Sequence, residues 1–587
     1  MTPVRTRFLN AAACVLVLAS VGFVAAPTVL AAAPPPPGST WSETFIDTPD
    51  GERLHVDVMR PTGLTPADKT PVILIVSPYL GMASLTEQPG PSNRFYDFIN
   101  GAKVFERGYS VVMVSLRGTG GSSGCLDILG PGEQTDIRTA INWAASQPWS
   151  TGKVGMYGKS YDANTGVVAT TLGTPGLAAV VAQEIVPDRY RGSYSERVRL
   201  IQSLVYPSAS YGSGGEGTFS INGSQEYLTN SLSHSADCQA RLLDHYNESE
   251  AAPFWQVRDF VERAEGSTVP TFITAGYLDT NTNIGGGAVE YFNALEGPKR
   301  MWIGWWDHVR GNDKVGSRLA MGRAGFFDEV MRFFDHYVKG VSLEDAPTDE
   351  DPIIAAQGSD GTWREEEAFP PEDASTFVSP LLPGTYEDDG NNVGSNDSGA
   401  GPGGAGATLD EQTGHGTWTF SPPLEHRAHL MGIPSARVTL DLEVPRTNLA
   451  VNVYDVAPDG EATMITRGAA MVDHELTWQN VQLFPADWTF EPGHRIGVLI
   501  SGANAEAYVH VPTNTTVGAT DATVRLPFLR YIREVDLQGD IAPRLQSYLA
   551  AAPFEVDAGT IAARTSEGFQ LPPPLVERPD EDDDGLD

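Results

Sequence analysis

The chain has 587 residues, 41% hydrophobic and 19% charged, with a formal net charge of -36. That length exceeds what one hydrophobic core organises, so two or three domains are expected, and the apolar content excludes a largely disordered chain. The acidity argues against nucleic acid and anionic membrane surfaces as partners and describes a solvated exterior.

In chain order, the first residues carry the marks of an export signal. Arg5 and Arg7 form a basic start, Phe8 to Ala26 is apolar, and Ala31-Ala32-Ala33 supplies small residues before a run of prolines. An uncleaved membrane anchor is the competing reading, because the run is nearly long enough to span. Its alanines and small-residue end favour cleavage. Residues 1–33 are therefore read as a signal peptide, and the mature chain as secreted, with no stable membrane association. Of three cysteines, Cys14 leaves with the signal. Cys125 and Cys238 remain as a candidate disulfide, against the alternative of two unrelated thiols. There is no C-x-x-C and no clustered His/Cys spacing, so no metal and no cofactor are expected.

Ser42 to Arg60 reads as a hairpin about Pro49-Asp50-Gly51. Pro71 to Val76 is a continuous apolar run of strand length, as in a strand buried on both faces. A helix is expected over Phe95 to Arg107, a strand over Tyr109 to Leu116, and a helix over Glu133 to Gln147. Further strands are expected over Ala178 to Val186, Thr268 to Ala275 and Lys299 to Trp306, then a helix from Phe326 to Val338. Strands alternating with helices predict an α/β fold with a mainly parallel sheet. Asp188 to Ala264 is polar, with helical segments expected around Glu196–Val205 and Ser235–Asn247, and reads as a mainly helical cap. Glu387 to Thr408 reads as a solvated loop; its acidic run misses calcium-loop spacing. From Ala436, short alternating strands at Val438–Leu442, Leu449–Val456, Ala462–Thr466, His494–Ser501 and Tyr508–Val511 predict a β-sandwich. The expected layout is thus 40–187 and 266–345 for the core, 188–265 for the cap, 346–560 for the sandwich and 561–587 for an acidic tail.

The chemistry centres on Gly158-Lys159-Ser160-Tyr161-Asp162. A Ser on a tight strand-to-helix turn is a candidate nucleophile elbow, although Asp162 stands where G-x-S-x-G has its second Gly. An ordinary Gly-Ser turn is the bland reading. Ser160, Asp279 and His308 each follow a predicted strand, in the Ser…Asp…His order of α/β-hydrolases. Asp279 as a helix N-cap and His308 as one of 11 ordinary histidines are the competing readings. Asp307 is a rival acid. An acyl-transfer intermediate needs two oxyanion donors. The Tyr161 amide and the Tyr79 phenol are the candidates, with a packed aromatic as the alternative for Tyr79.

Ser77-Pro78-Tyr79, Arg117-Gly118-Thr119-Gly120, Gln147-Pro148-Trp149-Ser150, Gly155 to Tyr161, Asp279, Trp306-Asp307-His308 and Phe334 to Gly340 together resemble the peptidase S15 / cocaine-esterase-like acyl hydrolases. The resemblance covers about residues 40 to 550. It implies an α/β-hydrolase domain with a helical cap and a C-terminal jelly-roll-like β-sandwich. It further implies a Ser160–His308–Asp279 triad and a Tyr79/Tyr161 oxyanion hole. Ala163 replaces the family's usual Gly and is small enough for close packing. Thr280-Asn281-Thr282 replaces the acidic residues that follow the triad Asp in members acting on α-amino-acid esters. The expectation is a serine hydrolase acting on a small-molecule ester or short peptide, an acyl esterase first and a Xaa-Pro dipeptidyl-peptidase as the alternative. Glu184 and Asp188 are the candidate ammonium ligands of that alternative. A secreted binding protein with an inactive hydrolase domain is the remote reading.

Overall fold

The computed structural model describes residues 34–80, 90–205, 224–233, 238, 243–389, 416–476, 478–504, 507–551 and 554–579. The expected signal peptide lies outside them, as does most of the expected 387–408 loop. Strands β1 (Ser39–Asp47) and β2 (Arg53–Pro61) form the expected hairpin. They lead into a ten-stranded sheet with β3 (Thr70–Ser77), β4 (Ser110–Ser115), β5 (Ser150–Lys159) and β6 (Leu177–Gln183). The two-residue strands β7 (Tyr194–Ser195) and β8 (Val198–Arg199) make a separate hairpin, and β9 (Thr271–Gly276) and β10 (Lys299–Gly304) return to the sheet. After the small hairpin β11 (Lys314–Val315) and β12 (Arg318–Leu319), β13 (Ile354–Gln357) and β14 (Trp363–Glu366) complete it. The order is β1-β2-β4-β3-β5-β6-β9-β10-β13-β14, parallel from β4 to β13.

Helices cover both faces, which is why β3 is apolar at every turn rather than at alternate positions. Val72, Leu74 and Val76 enter one core and Ile73 and Ile75 the other. On the first face lie α2 (Pro131–Ser146) and α3 (Tyr161–Thr170), after the short α1 (Tyr96–Gly101). The opposite face carries α6 (Phe326–Phe334), which widens into a π-type turn over Asp335–Lys339, the last turn of the helix expected to Val338. Between them in sequence are α4 (Gln225–Ser233) in the cap and α5 (Ala288–Ala294) after β9.

The cap departs from the expected helices. Residues 194–199 form the β7–β8 hairpin, and only Gln202–Val205 of the Glu196–Val205 segment is helical. Tertiary pairing overrides local propensity here: the Met471 amide donates to the Glu196 carbonyl and Ser195 Oγ to that of Ala469, at 2.9 and 2.7 Å. Tyr508 makes an isolated bridge to Leu200 instead of opening a strand over Tyr508–Val511. Of the Ser235–Asn247 segment, Leu243–Tyr246 is a 3-10 turn, and most of the rest lies outside the described residues.

The C-terminal domain packs two antiparallel sheets. One comprises β15 (Ser375–Leu381), β16 (Gly384–Glu387), β18 (Ala428–Gly432), β19 (Ser435–Asp441), β22 (Trp478–Gln482), β23 (Ala486–Phe490) and β25 (Thr516–Phe528). The other comprises β17 (Gly416–Phe420), β20 (Arg446–Val456), β21 (Glu461–Asp473), β24 (Arg495–Ser501) and β26 (Phe554–Glu555). Two expected boundaries move. The hydrolase sheet runs past 345 to take in β13 and β14, whose four-residue strands hide behind an acidic, proline-bearing stretch. The expected tail is folded through 579: α8 (Ala558–Arg564), which follows α7 (Pro543–Ala550), is capped by Asp557, and Arg564 Nε donates to the Trp418 carbonyl at 2.6 Å.

Cys125, in the loop after β4, is joined by a disulfide to Cys238 of the cap across 113 residues of sequence. Asn230 of α4 also donates to the Gly121 carbonyl at 2.9 Å, so the cap is fastened to the Arg117–Ser122 loop. Closing a loop of this length removes much of the unfolded chain's freedom. Replacing both cysteines with Ser should therefore lower the urea midpoint by the equivalent of about 2–4 kcal/mol, with the loss mimicked by reductant on the wild type.

Candidate active site

Ser160 occupies the turn between β5 and α3 at φ 65°, in the left-handed region that non-glycine residues rarely adopt. Such a backbone costs about 1–3 kcal/mol and persists only where its surroundings hold it. Here the Ser160 amide donates to the Gln183 carbonyl at 2.9 Å, and its own carbonyl accepts from the amides of Ala163 and Asn164 at 3.0 Å. Asn164 Nδ2 adds a third bond to that carbonyl at 3.0 Å, and Asn164 Oδ1 accepts from the Val186 amide at 2.8 Å. Gly158 is required: a Cβ there would lie 2.2 Å from the Asp162 carbonyl oxygen. Asp162, in place of the second elbow glycine, is buried and ion-paired with Arg94 at 2.6 Å. That guanidinium in turn stacks over the Tyr79 ring at 4.2 Å.

The parallel register carries the other two residues to the same edge. Lys159 pairs with Gln183, Gln183 with Thr274, and Thr274 with Trp302, so Ser160, Asp279 and His308 leave the same C-terminal edge of the sheet, after β5, β9 and β10. His308 Nδ1 and Asp279 Oδ2 are 2.7 Å apart. Asp279 also accepts from the amides of Asn281 and Thr282, at 2.8 and 3.1 Å, and from the Thr282 hydroxyl. Burial opposes its charge, but the His308 partner and the Thr282 bonds prevail and hold this carboxyl well below the usual range. Asp307 lies adjacent in sequence but senses Arg544 as its strongest opposite charge. Tyr79 and Tyr161 line one pocket with Ser160, their rings edge to face at 6.2 Å. The Tyr161 phenol donates to Glu133 Oε2 at 2.7 Å and accepts from the Leu129 amide at 3.0 Å, which pins the residue after Ser160.

Glu184 is not free to hold an ammonium. It is fully buried, and its oxygens accept from Trp306 Nε1 at 3.0 Å, Thr274 Oγ1 at 2.9 Å and the Gly276 amide at 3.1 Å. Burial and the Asp279 charge push this carboxyl well up, while burial lowers the Lys159 ammonium beside it. Asp188 is also buried and accepts from the Arg191 amide at 3.0 Å. Sequence reasoning missed Asn164, whose spacing four residues after Ser160 was a usable signal, since helical neighbours at that distance share a face. It also missed Arg189 and His245, which line the pocket and come from the cap with no motif to mark them; Asn281 and Thr282, noted in the sequence only as replacing acidic residues, line it too.

Two measurements check this geometry. Asn164→Ala strips a bond from the Ser160 carbonyl and leaves the Val186 amide unpaired, so stability should fall by about 1–3 kcal/mol and turnover should drop with it. Glu133 tests the second support: burial, then the Asp127 charge, push its carboxyl up to about 8. A raised folded value favours the protonated form. Its stabilisation is whole below the unfolded value near 4.5 and lost as pH rises towards 8, at about 1.4 kcal/mol per unit. Glu133→Gln should therefore gain on the wild type between pH 5 and 8.5 in urea melts, and a pH-independent difference would contradict the assignment.

Residues 50–310 match the family model for X-Pro dipeptidyl-peptidase (S15 family), and 345–528 match that for the X-Pro dipeptidyl-peptidase C-terminal non-catalytic domain. The chain is 27% identical over 422 residues to a putative Xaa-Pro dipeptidyl-peptidase of Streptomyces avermitilis, covering 65% of this chain and 55% of that relative. It is 24% identical over 561 residues to the cocaine esterase of a Rhodococcus species, covering 80% and 92% of the two. A CocE/NonD family hydrolase from Staphylococcus aureus has a similar fold, with a TM-score of 0.60 at 17% identity over 83% of this chain and 93% of that one. With an α/β-hydrolase sheet, an antiparallel C-terminal domain and both family models in their expected order, the chain belongs to the peptidase S15 / cocaine-esterase-like acyl hydrolases.

Proposed function

We propose that the protein is a secreted acyl esterase in which Ser160, His308 and Asp279 form the catalytic triad. The observation that carries this reading is the Asp279–His308 hydrogen bond at 2.7 Å, two strands across the sheet from a serine held at φ 65°. His308 takes the Ser160 proton as Oγ attacks the ester carbonyl. Asp279 bonds Nδ1, which leaves Nε2 as the base and stabilises the imidazolium that forms. The Tyr161 amide, at the positive end of α3, and the Tyr79 phenol receive the developing oxyanion. His308 then returns the proton to the departing alkoxide, and a water activated by the same imidazole releases the acid. Secretion rests on the N-terminal segment alone.

Exopeptidase activity is the second reading, favoured by relatives named Xaa-Pro dipeptidyl-peptidases. Cleaving after a free N-terminus requires a carboxylate at the pocket to hold the ammonium. Among the described residues lining the Ser160 pocket there is none, and Asn281 and Thr282 stand neutral beside Asp279.

Turnover of a small aryl ester and of a Gly-Pro anilide separates the two. Fast ester cleavage with an inert anilide is expected; comparable anilide cleavage would make the exopeptidase reading correct. Ser160→Ala should lose about 10⁴-fold or more in kcat and Asp279→Asn a similar factor. Activity surviving in Ser160→Ala would overturn the triad.

A further inference from the structure

Three arginines converge behind the Ser160 pocket, and two of them are spent on the fold. Arg199 donates to the carbonyls of His245 and Ser203 at 2.6 and 2.7 Å, and Arg258 donates to the carbonyls of Asp127, Ile128 and Phe254. Arg189 is different. It lines the pocket with Ser160, Tyr79 and Asn164 and is only 8% exposed, and its Nε, like that of Arg199, is buried without a partner. Its side chain makes no hydrogen bond or ion pair among the described residues.

A guanidinium this deeply buried and given no counter-charge is costly to keep. A structural arginine would use its fork as Arg199 and Arg258 do. The described lining offers no carboxylate to neutralise it: its titratable members are the phenols of Tyr79 and Tyr161 and the imidazole of His245, which burial and the surrounding arginines push well below its ordinary range. Ser193 and Asn281 add neutral polar groups to the same wall. In a protein of net charge -36, a cationic pocket floor is a local feature with a local purpose.

We propose that the preferred acyl group carries an anionic terminus, a carboxylate, which pairs with Arg189. The substrates are then monoesters or monoamides of dicarboxylic acids. This inference rests on the hydrolase reading above and names its substrate class. A planar carboxylate matches the fork of Arg189 with two parallel hydrogen bonds, and pairing inside a dry pocket is stronger than at the surface.

The test compares 4-nitrophenyl monoesters of linear dicarboxylic acids, from glutarate to suberate, with the same esters capped as methyl esters at the far carboxyl. For at least one chain length, kcat/KM of the acid should exceed that of its capped partner by about tenfold to a hundredfold. Arg189→Gln should collapse that ratio towards one, and Arg189→Lys should keep part of it. The ratio is taken within one preparation, so partial loss of fold leaves it intact. A wild-type ratio at or below one for every length, or an unchanged ratio in Arg189→Gln, would overturn the proposal. If neither ester is cleaved, the hydrolase reading fails by itself, and calorimetry then decides the pocket. Monomethyl suberate should bind Ser160→Ala more tightly than dimethyl suberate does, and equal or weaker binding would refute the anion site.

Discussion

A carboxylate buried where three strand ends meet sets the spacing of this site. Glu184 leaves β6 beneath the sheet edge that carries Ser160, Asp279 and His308, and accepts from Thr274 and Gly276 at the end of β9 and from Trp306 just past β10. The strands that deliver Asp279 and His308 are thereby bolted to the strand beside the one that delivers Ser160. Removing one member of such a network strands the others without partners, which is why buried polar clusters tend to hold one arrangement. Lys159, immediately before Ser160, sits beside the same buried cluster.

Much of this was legible in the sequence. The continuous run Val72–Val76 states a strand covered on both faces, and Ser160, Asp279 and His308 can be found because each stands at the end of such a run. What could not be read were residues whose roles depend on tertiary contact. Glu184 has the composition of a surface acid; only the donors arranged around it show that it is a bolt rather than a ligand. The Glu196–Val205 segment has helical spacing, yet pairing to β21 turns its first half into a hairpin. β13 and β14 are too short to announce themselves, and their membership in the sheet is decided by the open edge of β10.

The cap makes the same point about polarity. It is tied on one side by the disulfide and by α4 to the loop after β4, and on the other by Arg197 to Asp473 of the sandwich at 2.7 Å. Held from both sides, it brings Arg189 and His245 into the pocket that Ser160 lines. The pocket's lining is therefore shared between cap residues, Arg189, Ser193 and His245 among them, and residues at strand ends and the turns after them. A single sheet can keep its reaction while the cap changes the substrate.

The placement of β13 and β14 has a bearing on how this architecture is inherited. These strands close the exposed side of β10, and Arg364 of β14 pairs with Asp487 of the sandwich at 2.5 Å. Trp305, two residues before Asp307, donates its indole to the Asp487 carbonyl at 3.1 Å. The seam between the two domains thus passes through side chains adjoining the imidazole loop. A chain ending at the apparent linker would present a bare parallel edge and an orphaned tryptophan, both invitations to aggregate. The β-sandwich is then no detachable accessory that recombination could exchange freely: gain or loss of the second half rewrites the first.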